Sequence, residues 1–248
     1  SDADLANGTQ NDGDDLVFTD YDGNKLSHEI EYYNNTTGCL IAWVNVTELS
    51  STVDTTLYLY YGNELCNNQE NSGGTWESSY RMVQHLSETT GLHYDSTMNG
   101  NDGTYYNPEG GTQNDVGIMD GADQFSGNFG STAGRGDYID CGNDSSLDIT
   151  NQITVSAWIK PTNQTQWNHL VTKGCDSPNR VYQLSIEINE SIDFIINGDN
   201  TNAKATTSVH VPVDQWSYVV GTYDQNHIRV YINGVEQANR VYSSAITT

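Results

Sequence analysis

Ile228-Arg229-Val230-Tyr231-Ile232-Asn233-Gly234-Val235-Glu236 (IRVYINGVE) reads as a strand, a turn and the start of a second strand. Side chains alternate along an extended chain, so Ile228, Val230 and Ile232 share one face and Arg229 and Tyr231 take the other. Asn233-Gly234 suits the left-handed backbone of a two-residue hairpin turn. A second Asn-Gly pair stands at Asn197-Gly198. Runs of the same character recur from end to end: LVFTDY, LSHEIEYY, LIAWVNV and TTLYLYYG, then DYIDCG, ITVSAWIK, YQLSIEI, IDFIING and WSYVVGTYD. They are β-branched or aromatic and are bounded by Gly, Asn and Asp. Helical periodicity is nearly absent, and many short antiparallel strands at this spacing predict a sandwich or jelly roll.

Composition narrows the partners. The 248 residues carry 9 Lys and Arg against 33 Asp and Glu, a formal charge of -24, yet only 17% of residues are charged. The surface is therefore mainly amide and hydroxyl, while 10% aromatics supply apolar area for a core. A chain so poor in Lys and Arg does not neutralise phosphates, which excludes nucleic acid and disfavours anionic membrane surfaces. No apolar run approaches the ~18 residues of a membrane span. The polar, β-rich composition points to an extracellular or cell-surface setting.

The composition shifts at Asn67–Glu77 (NNQENSGGTWE), which places a β module at 1–66, a linker at 67–80 and a larger β module at 81–248. Cys39, Cys66, Cys141 and Cys175 lack any C-x-x-C pairing. Proximity favours Cys39–Cys66 and Cys141–Cys175 bridges, with Cys141 as a small buried hydrophobe the alternative. Asn-x-Ser/Thr sequons fall at Asn7, Asn34, Asn35, Asn45, Asn143, Asn163 and Asn189 and are candidate glycosylation sites. Arg135-Gly136-Asp137 spells an integrin-type tripeptide, but it precedes a strand, where Gly and Asp are ordinary turn residues.

The stretch His93–Tyr106 (HYDSTMNGNDGTYY) concentrates Asp, Asn and Gly. Such a loop either closes on itself through Asx turns or offers oxygens to a hard cation, which wants about six to eight of them. Asp95, Asn101 and Asp102 are the candidate ligands, with Asp120 or Asp123 arriving from the next loop.

From Met82 onward the chain resembles the laminin-G-like, concanavalin-A-like jelly roll of bacterial and archaeal surface proteins. The resemblance rests on MVQHLSE, DSTMNGNDGT, GADQF, DYIDCGNDSSLDIT, ITVSAWIKP, WSYVVGTYD and IRVYINGVE, in that order. The segment DDLVFTDYDGNKLSHEIEYYNNTTGCLIAWVNV resembles an uncharacterised extracellular module found before such domains. The resemblance implies structural calcium at the Asp/Asn loop, since many related jelly rolls carry one. It also implies more strand before Ser1 and a closing strand after Thr248. Both ends thus read as interior cuts, or as edges completed by another chain.

Glucanases of this fold carry Glu-x-Asp-x-x-Glu on one strand face. Here Glu187, Asn189 and Ile192 occupy those positions, so the acid pair is missing and no catalytic residue is expected. Glycan binding needs exposed aromatics beside amides and carboxylates. Trp167 in a polar loop and Tyr105-Tyr106 beside the Asp/Asn loop are the candidates. Trp158 and Trp216 lie mid-strand and read as core, Trp43 as core of the first module, and Trp76 as a pin for the linker.

These features predict an all-β protein of two modules, an incomplete β-sandwich followed by a concanavalin-A-like jelly roll. The expected role is non-catalytic recognition of glycans or surface proteins, in adhesion or scaffolding. The rival is a structural subunit of a surface layer, sheath or filament that shares strands between copies of itself, and a glycan-active enzyme is the third class.

Overall fold

The computed structural model describes residues 1–126, 136–162, 167–174, 179–198 and 203–247. Two compact units emerge: residues 1–126 with 136–144, and the chain from Ser145 onward. Cys175, Asn163 and Arg135 lie outside the described residues.

The first unit holds two short helices, α1 (Ala3–Gly8) and α2 (Ser72–Thr75), and nine short strands. These are β1 (Val17–Thr19), β2 (His28–Asn34), β3 (Cys39–Val44), β4 (Tyr58–Tyr60), β5 (Leu92–His93), β6 (Gly103–Tyr106), β7 (Thr112–Val116), β8 (Gly121–Gln124) and β9 (Tyr138–Asp140). They form the ladders β1-β4, β2-β3, β5-β6-β9 and β7-β8, all antiparallel. Asp15, buried, ties distant backbone together by accepting from Gln10, Gly62 and Asn63 N–H groups.

The polar run at 67–80 lies inside this unit and does not coincide with the division between units. It straps the edge of β2 that β3 leaves open. Asn71 N–H donates to the His28 carbonyl at 2.9 Å. The Ile30 N–H donates to Glu70 at 2.8 Å, and Asn71 also caps α2 by accepting from Gly74 N–H. Amides and carboxylates thus supply the partners a strand would have supplied. That requirement explains a stretch poor in apolar residues that is still firmly placed.

The second unit is a sandwich of two four-stranded antiparallel sheets among the described residues. Its strands are β10 (Ile153–Ile159), β11 (Asn168–Lys173), β12 (Tyr182–Ile186), β13 (Ser191–Ile196), β14 (Lys204–His210), β15 (Ser217–Tyr223), β16 (His227–Ile232) and β17 (Val235–Val241). One sheet runs β10-β15-β16-β17 and the other β11-β12-β13-β14. The alternation in β16 is as read: Ile228, Val230 and Ile232 are buried, Arg229 and Tyr231 half-buried. Asn233 and Gly234 take φ of 49° and 79°, and Ile232 pairs with Val235 across the turn. Asn197 is left-handed as well, at φ 57°. It anchors the C-terminal segment by accepting from Thr247 N–H and donating to the Ala245 carbonyl, each at 2.7 Å.

Leu184, Ile186, Ile192, Phe194 and Ile196 meet Val155, Val219, Tyr223 and the inward residues of β16 in the core. Gly221 on β15 makes room for Phe194: a Cβ there would stand 2.4 Å from the Phe194 Cγ. Gly221→Ala is expected to force Phe194 off its rotamer and cost roughly 1–3 kcal/mol. Urea unfolding of this variant beside wild type measures it, and equal midpoints would contradict the close approach.

Trp158 corrects an expectation. It is 41% exposed rather than core, because Ile153, Val155, Ala157 and Ile159 turn toward the core and Thr154, Ser156 and Trp158 away from it. Trp216 is half-buried. Among the described residues Cys39, Cys66 and Cys141 form no disulfide, and the expected partner of Cys141, Cys175, lies outside them. Cys39 opens β3 opposite Asn34, whereas Cys66 closes a separate turn on the Asn63 carbonyl, so the Cys39–Cys66 bridge is not made. Burial, reinforced by Asp140, Asp95 and Asp102, pushes the Cys141 thiol up to about 11. A thiol held protonated in this way is a weak nucleophile.

Candidate functional site

The Asp/Asn/Gly loop is rigid, and its centre is Asp95. Asp95 Oδ1 accepts from Val83 N–H (2.9 Å) and Thr97 N–H (3.0 Å). Its Oδ2 accepts from the Thr97 hydroxyl and Asn101 N–H, both at 2.9 Å. Asp102 accepts from Asp95 N–H at 2.8 Å, and the Asn101 amide donates to the Arg81 carbonyl at 2.8 Å. Asp95, Asn101 and Asp102 therefore come together, as the spacing implied. The acceptor capacity of Asp95, however, goes to N–H and O–H donors, not to a set of converging oxygens. Among the described residues no group of three or more His, Cys, Asp or Glu is arranged to hold a metal. As arranged, this donor set does not fit the calcium shell.

Asp123 meets the first residue of that stretch, its Oδ2 2.8 Å from Nε2 of the fully buried His93. Nδ1 of His93 meets Glu88 at 2.9 Å. Burial, partly offset by His93 and reinforced by Glu88, pushes Asp123 up to about 6. Tyr105, half-buried, packs edge-on against His93, donates to the Gln124 carbonyl at 2.8 Å and lines an open cleft of about 440 Å³ with Thr104, Asn107 and Gln113. Tyr106 is exposed and stacks on Tyr138 at 4.9 Å. Asp137 accepts from the Glu109, Gly111 and Ser126 N–H groups, which is turn-holding work.

In the second unit, the solvent face of the β10-β15-β16 sheet carries an aromatic group. Trp158 and Tyr218 are cross-strand partners with ring centroids 5.2 Å apart, and the register puts Val220 and Tyr231 on the same face. Trp167, just before β11, is 62% exposed. On the other sheet, Lys204 pairs with both Glu187 (3.1 Å) and the buried Asp193. Burial and the neighbouring Asp193 raise Glu187 above the usual carboxylate range despite Lys204. Asn189 accepts from the Ser191 hydroxyl in the intervening turn. Among the sequon residues, Asn34 and Asn45 use their amides internally, on Thr36, Thr37 and Gly74, while Asn35 and Asn143 are exposed.

One arrangement had no signal in sequence spacing. Glu29 on β2 accepts from Trp76 Nε1 (2.6 Å) and the Ser96 hydroxyl (2.6 Å), and lies 3.3 Å from His85 Nε2. Glu31, the extra residue of a bulge in β2, accepts from Trp43 Nε1 at 2.5 Å and lies 3.5 Å from His85 Nδ1. Burial alone would depress His85, but the hydrogen bonds and charges of Glu29 and Glu31 outweigh it and push it up to about 9. Burial would likewise raise Glu29, yet His85, Ser96 and Trp76 together hold it below its ordinary value. The two indoles thereby have their N–H groups fixed inward, with ring centroids 5.2 Å apart.

Residues 133–248 match the concanavalin A-like lectin/glucanases superfamily. Residues 12–101 match a domain of unknown function, DUF2341. Among solved structures, the chain is similar to domain 4 of AbnA, a GH43 extracellular arabinanase from Geobacillus stearothermophilus, in complex with arabinotriose. That match has 24% identity over 62% of this chain and 72% of the other, with a TM-score of 0.45. Residues 221–444 of an S-layer domain-containing protein from Clostridium thermocellum are 17% identical, over 66% of this chain and 73% of the other, with a TM-score of 0.38. The native heptameric SAP-like pentraxin of Limulus polyphemus is 16% identical over 40% and 48%, with a TM-score of 0.32. Curated proteins return no match. The chain thus carries a laminin-G-like domain of the concanavalin A-like superfamily, preceded by a DUF2341 module.

Proposed function

We propose that this chain is a non-catalytic recognition module of the extracellular space or cell surface, and that its laminin-G-like unit holds glycan on a sheet face. The observation that carries this reading is the Trp158–Tyr218 pair, a large indole kept in water on a strand whose alternate residues build the core. The exposed indole of Trp158, with the Ser156 hydroxyl next to it and Thr154 and Thr222 farther along the same sheet face, suits the C–H face of a sugar ring with its rim of hydroxyls. The non-catalytic part rests on Asn189 and Ile192, which stand where glucanases of this fold carry their second and third acids.

Trp158→Ala is expected to weaken retention on immobilised glycans at least tenfold while leaving the melting temperature within a few degrees. Retention equal to wild type on every glycan that binds would overturn the reading. The rival, a self-assembling surface-layer subunit, draws on β17, an edge strand with exposed Val235 and Val241. Light scattering that shows concentration-dependent association, lost in Val241→Lys, would favour it instead.

A further inference from the structure

A cleft of about 610 Å³ opens in the first unit, lined by Trp43, Asn45, Thr47, Trp76, Glu77 and Tyr80 among others. It lies in the DUF2341 module and uses none of the residues of the Trp158 face. We infer that this cleft is a second, separate ligand site and that its occupant is a neutral oligosaccharide.

The chemistry follows from how the rings are held. Trp43 and Trp76 keep their N–H groups on Glu31 and Glu29, so neither indole is free to turn when a ligand arrives. Such preorganisation removes the entropic cost of fixing them on binding. Tyr80, 46% exposed, stands edge-on to Trp76 with centroids 5.0 Å apart and extends the aromatic wall to the surface. The Thr47 hydroxyl, the Glu77 carboxylate and the amide oxygen of Asn45, whose NH2 is already held by the Gly74 carbonyl, line the remainder and are groups that grip sugar hydroxyls.

Two other occupants fit less well. A quaternary ammonium needs rings set apart so that the cation lies within about 6 Å of each centroid. Here the ring centroids are already 5.0 to 5.2 Å from one another, so the rings fill the space between them. An anionic sugar would meet Glu77 at the cleft and Glu29 and Glu31 behind the indoles, against His85 as their one shared cationic partner. A chain of net charge -24 adds to that repulsion.

The test uses the full chain in the Trp158→Ala background, so that the sheet face proposed above contributes nothing to the signal. Neutral hexasaccharides of glucose, xylose, mannose and N-acetylglucosamine are titrated while the indole N–H resonances of Trp43 and Trp76 are followed by NMR and affinity by calorimetry. At least one sugar is expected to move both resonances saturably. Adding Tyr80→Ala is expected to weaken that binding tenfold or more at unchanged melting temperature. The inference is overturned if no sugar moves the two indoles, if tetramethylammonium moves them where sugars do not, or if Tyr80→Ala binds like its parent. The resonance shifts are read with Tyr80 intact, so a poorly folded Tyr80→Ala does not remove the test.

Discussion

Asp95→Ala is expected to lower the stability of the first unit by about 4 kcal/mol. The carboxylate is buried and accepts four hydrogen bonds, from Val83, Thr97 (twice) and Asn101. Each donor left unmet in a buried place costs roughly 1–3 kcal/mol, and local relaxation recovers part of the sum. Asp95→Asn retains one acceptor oxygen and should lose less. Urea unfolding of the three proteins, followed by a signal from the first unit, gives the comparison. An alanine variant within 1 kcal/mol of wild type would show that the loop does not depend on this carboxylate. Melting with and without a chelator separates the two possible sources of loop rigidity: a loop closed by its own hydrogen bonds keeps its melting temperature, and a calcium-held loop loses it.

Raising the pH is the second large effect. His85, at about 9 in the fold, sits above the ordinary histidine value of 6.5 because Glu29 and Glu31 flank it. The folded state therefore holds this proton where the unfolded chain has released it. The resulting stabilisation is fully present below about pH 6.5 and is lost as pH climbs through 9. A shift of this size corresponds to about 3 kcal/mol. Asp120 also feels Glu31 and His85, and burial holds it above its usual range, so its own titration belongs to the acid side of the profile. Unfolding free energies at pH 6, 7.5 and 9.5 should fall in that order, and His85→Gln should flatten the series. A slope of the opposite sign, or one that His85→Gln leaves intact, would rule out the His85 pairing.

Period-two patterning made the second unit legible. The run Ile228–Glu236 carried its own face assignment and its own turn, and both are present as read. The same rule applied to Ile153–Ile159 puts Trp158 on the outer face, whereas a mid-strand position by itself does not decide which face a residue takes. In the first unit the strands are short, and placement depends on polar side chains meeting backbone, which leaves no periodic trace. Residues 67–80 look like a linker by composition because their task is to satisfy the edge of β2, not to fill a core. The Asp/Asn/Gly loop was recognisable as a built corner, but composition cannot tell whether its oxygens face a cation or backbone N–H groups. Glu29 and His85 stand 56 residues apart in the chain, so no local pattern could have joined them.

The bulge in β2 leaves Glu31 opposite no residue of β3, while Ile30 pairs with Ala42 and Tyr32 with Ile41. Removing that one position would regularise the ladder without inverting any side chain beyond it. A chain shorter by one residue there would keep the hairpin and lose one of the two clamps on His85 and the clamp on Trp43. Length at this single position therefore offers a simple marker for sorting relatives into those that keep the aromatic wall braced from both sides and those that do not.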